Sequence, residues 1–220
     1  KYKQNQHLPC QKAKIQQKVE SIAQDLIDVQ AKREQLKGFK YCEDDEIQKQ
    51  FESDFEFETT KDQQKTIDDI KLDMEKGNII DRLVCGDVGY GKTEVAIRIA
   101  MKTVLNNKQV AFLAPTTILT RQHFQTLKAR FEKYGVKVEL INRLVSKKDQ
   151  TRILDELKKG LIDVIVGTHS LLSDNVKFIG YNAFYNTNLT YVTVDNCQYL
   201  KSKTNNYHTL IKADNIESIF

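Results

Sequence analysis

The chain has 220 residues, 40% of them hydrophobic and 29% charged, with a formal net charge of +4. That length suits one globular domain with an appendage. No apolar run approaches the roughly 18–20 residues that span a bilayer, and so mild a positive balance does not by itself imply nucleic acid.

The basic, polar start (KYKQNQHLPCQKAK) has no apolar stretch behind it, so no signal peptide is expected. The first residue is Lys1, and the chain reads as a piece of something longer. Residues 11–37 follow a helical period through Ile15, Val19, Ile22 and Leu26, with Gly38 as a stop. This amphipathic helix needs a partner surface, and packing on the following domain is preferred to a free coiled coil. Residues 41–58 are acidic and aromatic and read as a connector.

From residue 59 helices alternate with short apolar runs. A helix after Thr60 carries Ile67, Ile70 and Met74 on one face. Further helices are expected at 92–106, 117–134 and 146–159. Strands are expected at 82–86, 109–115, 136–141, 162–167, 190–195 and 216–220. Short apolar runs without clean alternation suit strands buried on both faces. The expected class is α/β, with a mostly parallel, doubly wound sheet. The domains read as a linker helix at 1–40, a connector at 41–58 and a nucleotide-binding domain at 59–220. Cys10, Cys42, Cys85 and Cys197 form no CxxC pair, which disfavours a zinc site or a disulfide framework. A reducing compartment, the cytoplasm, is expected.

RLVCGDVGYGKTE contains G-x-x-x-x-G-K-T between an expected strand and an expected helix, the context that makes a P-loop. Gly86, Gly89 and Gly91 let the backbone turn and present its N–H groups to phosphates at a helix N-terminus. Asp87, Val88, Tyr90 and Glu94 complete the expected ATP-binding stretch. Lys92 supplies a compact charge for the β- and γ-phosphates, and the Thr93 hydroxyl is placed to ligate Mg²⁺. TYVTVD ends in Asp195, a Walker B pattern and the second expected metal ligand. Lys92 and Asp195 are the candidate catalytic residues.

The ordered stretches FEFETTKDQQ, GDVGYGKTE, PTTILTRQH and GTHSLL resemble the bacterial transcription-repair coupling factors, and more distantly the RecG-type helicases. Both are superfamily 2 DNA translocases. The likeness runs from about residue 12 to 178 and resumes at Asp195. It implies a first RecA-like motor lobe that uses ATP and Mg²⁺, acts on double-stranded DNA and closes against a second lobe. It also implies RNA polymerase as a partner of other parts of the parent protein, and no membrane. Gln63 falls on the adenine-reading segment, where an amide can donate and accept at once. Thr60 joins it and also suits a helix cap, and Phe57 is placed to stack on the base. Thr116, Thr117, Arg121 and Gln122, beside Pro115, fall on one DNA-contact motif. Thr168 and His169, after Gly167, fall on another. Arg143, after Asn142, matches a third position. Such groups hold phosphates without reading sequence. His123 and His169 are not offered as metal ligands.

The chain departs from that pattern at Asp195-Asn196-Cys197-Gln198, where the family has Asp-Glu-Glu/Gln-His. Asn196 can hydrogen-bond a water but cannot take its proton as a carboxylate does. The family continues into a Thr-Ala-Thr-Pro motif and a second lobe after the point where IESIF stands here. Weak ATP binding and negligible hydrolysis by this piece are therefore expected. Three readings stand: a motor lobe of a repair translocase, a degenerate module that binds nucleotide or DNA without turnover, and a RecG-type fragment. A small-molecule kinase is disfavoured by the ordered helicase motifs.

Overall fold

The computed structural model describes residues 15–24, 27, 28, 31, 38–87, 89–173, 176, 189–194 and 209–214, the last two stretches as backbone only. The chain divides into two units, Lys1–Lys37 and Gly38–Phe220. In the first, the described residues are helical. Amide–carboxylate bonds one turn apart support them, Gln16 to Glu20 at 3.3 Å and Gln24 to Asp28 at 2.9 Å. Leu26 of the expected stripe lies outside the described residues.

In the second unit the acidic stretch contains a helix, α1 (Glu46–Ser53), capped by the Asp45 carboxylate on the Gln48 N–H. Its anchor is Phe51, which is fully buried and stacks on Phe131 with ring centroids 5.3 Å apart. α2 (Lys61–Lys76) opens with a capping box between Thr60 and Gln63 and closes at Gly77 in the left-handed region. Its Ile67, Ile70 and Met74 recur at helical spacing and are buried. Each such side chain contributes about 1.5–3 kcal/mol.

β1 (Asp81–Cys85), α3 (Lys92–Leu105), β2 (Gln109–Leu113) and α4 (Thr117–Phe131) follow, α4 running into a 3-10 turn at Glu132–Tyr134. Then come β3 (Val138–Ile141), α5 (Lys147–Lys158), β4 (Val164–Gly167), a 3-10 turn at His169–Leu172, β5 (Leu189–Val194) and β6 (Thr209–Asp214). The sheet is parallel throughout, in the order β1-β6-β5-β2-β4-β3. β6 was not among the expected strands, and the expected strand at 216–220 lies outside the described residues.

The core has two sides because the central strands are buried on both faces. Val110, Phe112, Val164 and Val166 face α3 and α4 through Ala96, Ala100, Leu127 and Phe131. Ala111, Leu113 and Ile165 face α5 through Ile153 and Leu157. α2 packs on α3, with Ile67, Ile70 and Met74 against Val95 and Ile99. All six strands end at one edge of the sheet, where open α/β sheets carry their ligands.

Candidate nucleotide and nucleic-acid site

β1 delivers the phosphate-loop sequence to that edge. Gly89 and Gly91 have φ of 82° and 67°, and Gly91 forms the N-cap of α3 with no side-chain cap bond. The helix therefore begins with backbone donors that no side chain caps. A side chain at Gly91 would be strained by its φ, and a Cβ there would sit 2.6 Å from Gln63 Nε2. Lys92 is buried, and its Nζ donates to the carbonyls of Gly86 and Asp87, the latter at 2.9 Å. The ammonium thus sits within the loop, held by acceptors that phosphate oxygens can replace. Thr93 is half-buried in the first turn, while Asp87 and Tyr90 are exposed. Val88 lies outside the described residues.

Gln63 joins the start of α2 to this loop. Its Oε1 accepts from the Thr60 N–H at 2.8 Å, and its own N–H donates to Thr60 Oγ1 at 3.2 Å. Its Nε2 donates to the Tyr90 carbonyl at 2.5 Å. An amide has two N–H groups and two lone pairs, so one of each remains for a base edge. Phe57 is 69% exposed and meets Phe55 edge-on at 5.6 Å. Its ring face is open to stacking.

Glu94 turns away from the phosphate loop. It is buried and accepts from Arg98 Nε at 2.9 Å and from both terminal nitrogens of Arg130. It belongs to a chain of alternating charges, Glu75–Lys102–Asp44–Lys71–Glu52–Arg98–Glu94–Arg130. The local sign of this chain in the sequence is the Glu94–Arg98 spacing of four on one helix. The other links join residues 19 to 58 positions apart. Burial pushes the Asp44 carboxyl up, but hydrogen bonds and charge from Lys102 and Lys71 prevail and hold it below its usual range. Burial lowers Lys102, but Asp44 and Glu75 prevail and raise it.

Asp195 and the Asn196, Cys197 and Gln198 positions lie outside the described residues. Asp195 follows directly on β5. Val194 aligns with Ala213 of β6, and Ala213 with Val84 of β1. The end of β5 is therefore two strands from the phosphate-loop strand, about 10 Å at ordinary spacing.

The expected DNA-contact residues lie along the same edge, after β2, β4 and β3. Thr116 caps α4 by accepting from the Leu119 N–H at 3.2 Å. Thr117 is half-buried in the first turn, and Arg121 and Gln122 are exposed in the next. Asn142 is buried. Its Nδ2 donates to Thr120 Oγ1 at 3.3 Å, and its Oδ1 accepts from the Leu144 N–H at 2.9 Å. That turn leaves Arg143 exposed. At Gly167 a Cβ would meet the Ile141 carbonyl and Leu171 at 2.7 Å, so glycine permits the close return after β4. Thr168 Oγ1 and Ser170 Oγ lie 3.1 Å apart, and His169 is exposed beside them. His123 is buried against Phe112 and held below its ordinary pKa by burial, which suits a neutral packing residue.

Residues 60–217 match the model of the DEAD/DEAH box helicase family. The chain is 51% identical over 167 residues to the transcription-repair-coupling factor of Staphylococcus aureus, covering 76% of this chain and 14% of that protein. It is also 51% identical over 162 residues to the protein of the same name from Borreliella burgdorferi, with 74% and 14% covered. The chain thus spans about one seventh of the length of these relatives. Among solved structures, RecG bound to a three-way DNA junction is similar, with a TM-score of 0.73 and 26% identity over 85% of this chain and 25% of that one. The parallel sheet and the phosphate loop at its edge are those of a RecA-like helicase lobe, and the chain belongs to the DEAD/DEAH box helicase family.

Proposed function

We propose that this chain is the ATP-binding lobe of a superfamily 2 DNA translocase that acts in transcription-coupled DNA repair. The observation that carries the reading is the phosphate loop with Lys92 drawn into it and Gln63 fastened to its Tyr90 carbonyl. ATP fits this site on three counts: an open helix N-terminus, a buried ammonium and a partly unspent amide at Gln63, with the exposed ring of Phe57 in the segment that leads into its helix. In the bound state the Gly86–Thr93 backbone and Lys92 hold the phosphates, Gln63 reads the adenine edge and Phe57 stacks on it. Thr93 and Asp195 hold Mg²⁺, which supplies charge neutralisation at the phosphates. Asp87 and Tyr90 shape the loop. Glu94 acts from behind it by fixing α3.

Thr116, Thr117, Arg121, Gln122, Arg143, Thr168 and His169 form the phosphate-binding face for double-stranded DNA. A second RecA-like lobe elsewhere in the parent protein closes on this one, and RNA polymerase meets other parts of that protein. Residues 1–40 serve as the linker helix, 41–58 join it to the motor, and 59–220 are the ATP-binding lobe. The parent protein works in the cytoplasm. Among the described residues no helix is long and apolar enough to cross a membrane.

The test is titration of the whole chain with a fluorescent ATP analogue, with and without Mg²⁺. The parent chain binds and Lys92→Ala loses at least about tenfold in affinity, the worth of roughly 1.4 kcal/mol. Equal binding by both sinks the reading. A second reading, a module that binds nucleotide without turnover, is favoured by Asn196 standing where the family carries a carboxylate. Asn196→Glu in a two-lobed protein separates them: restored DNA-stimulated hydrolysis identifies a motor that lost one group.

A further inference from the structure

Ile118, at 78%, and Leu144, at 70%, are the two most exposed large apolar side chains among the described residues. Leu172 is also exposed. Single exposed apolar residues need no explanation, but topology groups these three. β2, β4 and β3 are neighbours, and Leu113, Gly167 and Ile141 form one row across their ends. Ile118, Leu172 and Leu144 follow that row within five residues on each strand. With strands about 4.8 Å apart, their segments share one end of the sheet.

The surroundings are cationic. Arg121, Arg143, Lys147 and Lys148 are exposed, and none forms an ion pair among the described residues. Cations near the start of β3 differ: Lys137 pairs with Glu156 at 2.7 Å, and Arg152 with the same carboxylate at 2.9 Å. Lys147 and Lys148 also stand in the first turn of α5, where cations oppose the helix dipole. Asp149, in the same first turn, is an exposed acid, and its Oδ2 accepts the Ser146 hydroxyl at 2.6 Å.

A nucleic-acid strand alternates anion and sugar. Arginines, lysines and hydroxyls suit the anions. Alkyl side chains between them suit a sugar without a polar group at C2′. A ribose 2′-hydroxyl is donor and acceptor, and against an alkyl side chain it loses water without gaining a partner. We propose that Ile118, Leu144 and Leu172 lie against the sugars of the bound strand and make this face prefer deoxyribose to ribose. The inference rests on the DNA-binding reading above.

The test compares the full chain on a DNA duplex and on the same duplex carrying ribose at spaced positions of one strand. The parent chain binds the all-deoxyribose duplex about three- to tenfold more tightly, the range of partly desolvated hydroxyls. The triple variant Ile118→Thr, Leu144→Asn, Leu172→Asn brings the ratio to about one while keeping the salt dependence set by phosphate contacts. These positions are exposed, so the thermal midpoint should hold, and the single variants Ile118→Thr and Leu144→Asn repeat the comparison. If the parent chain binds neither duplex, both readings fall. If it binds DNA through Arg121 and Arg143 yet shows no sugar preference, only the sugar assignment falls. A preference that survives the triple variant overturns it too. Binding of both duplexes unchanged in that variant removes the apolar row from the DNA interface.

Discussion

Arg130 donates to both carboxylate oxygens of Glu94, at 3.2 and 3.3 Å, and so ties the helix that starts at Thr117 to the helix that starts at the phosphate-loop lysine. The same arginine lies over the rings of Phe51 and Phe55, 4.8 and 5.0 Å from their centroids. One guanidinium thus joins the nucleotide helix, the expected DNA-contact helix and the acidic segment before them.

The first prediction concerns that carboxylate. Removing it by Glu94→Ala leaves Arg98 and Arg130 without their shared acid in a buried setting. Breaking one side of a buried pair costs about 3–5 kcal/mol. Urea denaturation should show a shift of that size in the extrapolated free energy of unfolding. A shift below about 1 kcal/mol, the worth of a surface pair, would mean that the network is idle.

The second concerns pH. Asp44 has a folded pKa below its unfolded one, so its contribution is complete above the ordinary carboxylate value and is lost as pH falls through the folded value. Lys102 has a folded pKa above its unfolded one, so its contribution is complete below the ordinary ammonium value and is lost as pH rises through the folded value. Stability should therefore plateau between the two limits. Asp44→Asn should flatten the acid limb by at most about 1.4 kcal/mol per pH unit, the weight of one proton. Denaturant midpoints across pH measure it, and an acid limb unchanged in the variant refutes the assignment.

These groups mark the limit of what a linear pattern carries. The spacing of Ile67, Ile70 and Met74 declares α2, and G-x-x-x-x-G-K-T declares the turn before α3, because each signal lies within one window. The stretch around Phe51 reads as an acidic connector because its meaning depends on Phe131, Lys71 and Lys102, which only the fold brings near. Thr209–Asp214 escapes for a related reason. Its TLIKAD pattern mixes apolar and charged residues, and its membership of the sheet comes from pairing with β1 and β5. Glu94 was legible as a neighbour of the phosphate loop but not by its direction, since the helix turns its side chain toward Arg98.

The third prediction is at Gly91. Its φ of 67° strains any side chain, and a Cβ would collide with Gln63 Nε2. Gly91→Ala should cost about 1–3 kcal/mol and abolish ATP-analogue binding. Adding Gln63→Ala removes the collision but not the backbone strain. The double variant should therefore recover only part of the lost stability, and full recovery would show that strain contributes nothing.

The fourth concerns the exposed arginines. Arg121→Gln and Arg143→Gln should each lower the slope of log affinity for duplex DNA against log salt by about 0.9, one phosphate contact apiece. The weakening should be uniform across DNA sequences, because phosphate contacts carry no base information. Fluorescence anisotropy over a salt series measures both. An unchanged slope removes these side chains from the interface.

The last prediction separates two duties of Gln63. One N–H already holds the Tyr90 carbonyl and one lone pair already holds the Thr60 N–H, which leaves one of each for the base. Gln63→Glu keeps an acceptor for Thr60 but cannot donate to Tyr90, and it sets an anion beside the phosphate loop. Gln63→Ala removes all of these bonds without adding charge. If the residue acts only as a latch on the loop, both variants weaken ATP and GTP analogues alike. If it also reads the base, Gln63→Ala costs the ATP analogue about tenfold more affinity than it costs the GTP analogue, the worth of one further hydrogen bond in a desolvated site. Competition binding with the two nucleotides distinguishes the cases, and the spare donor and acceptor on the amide favour the second.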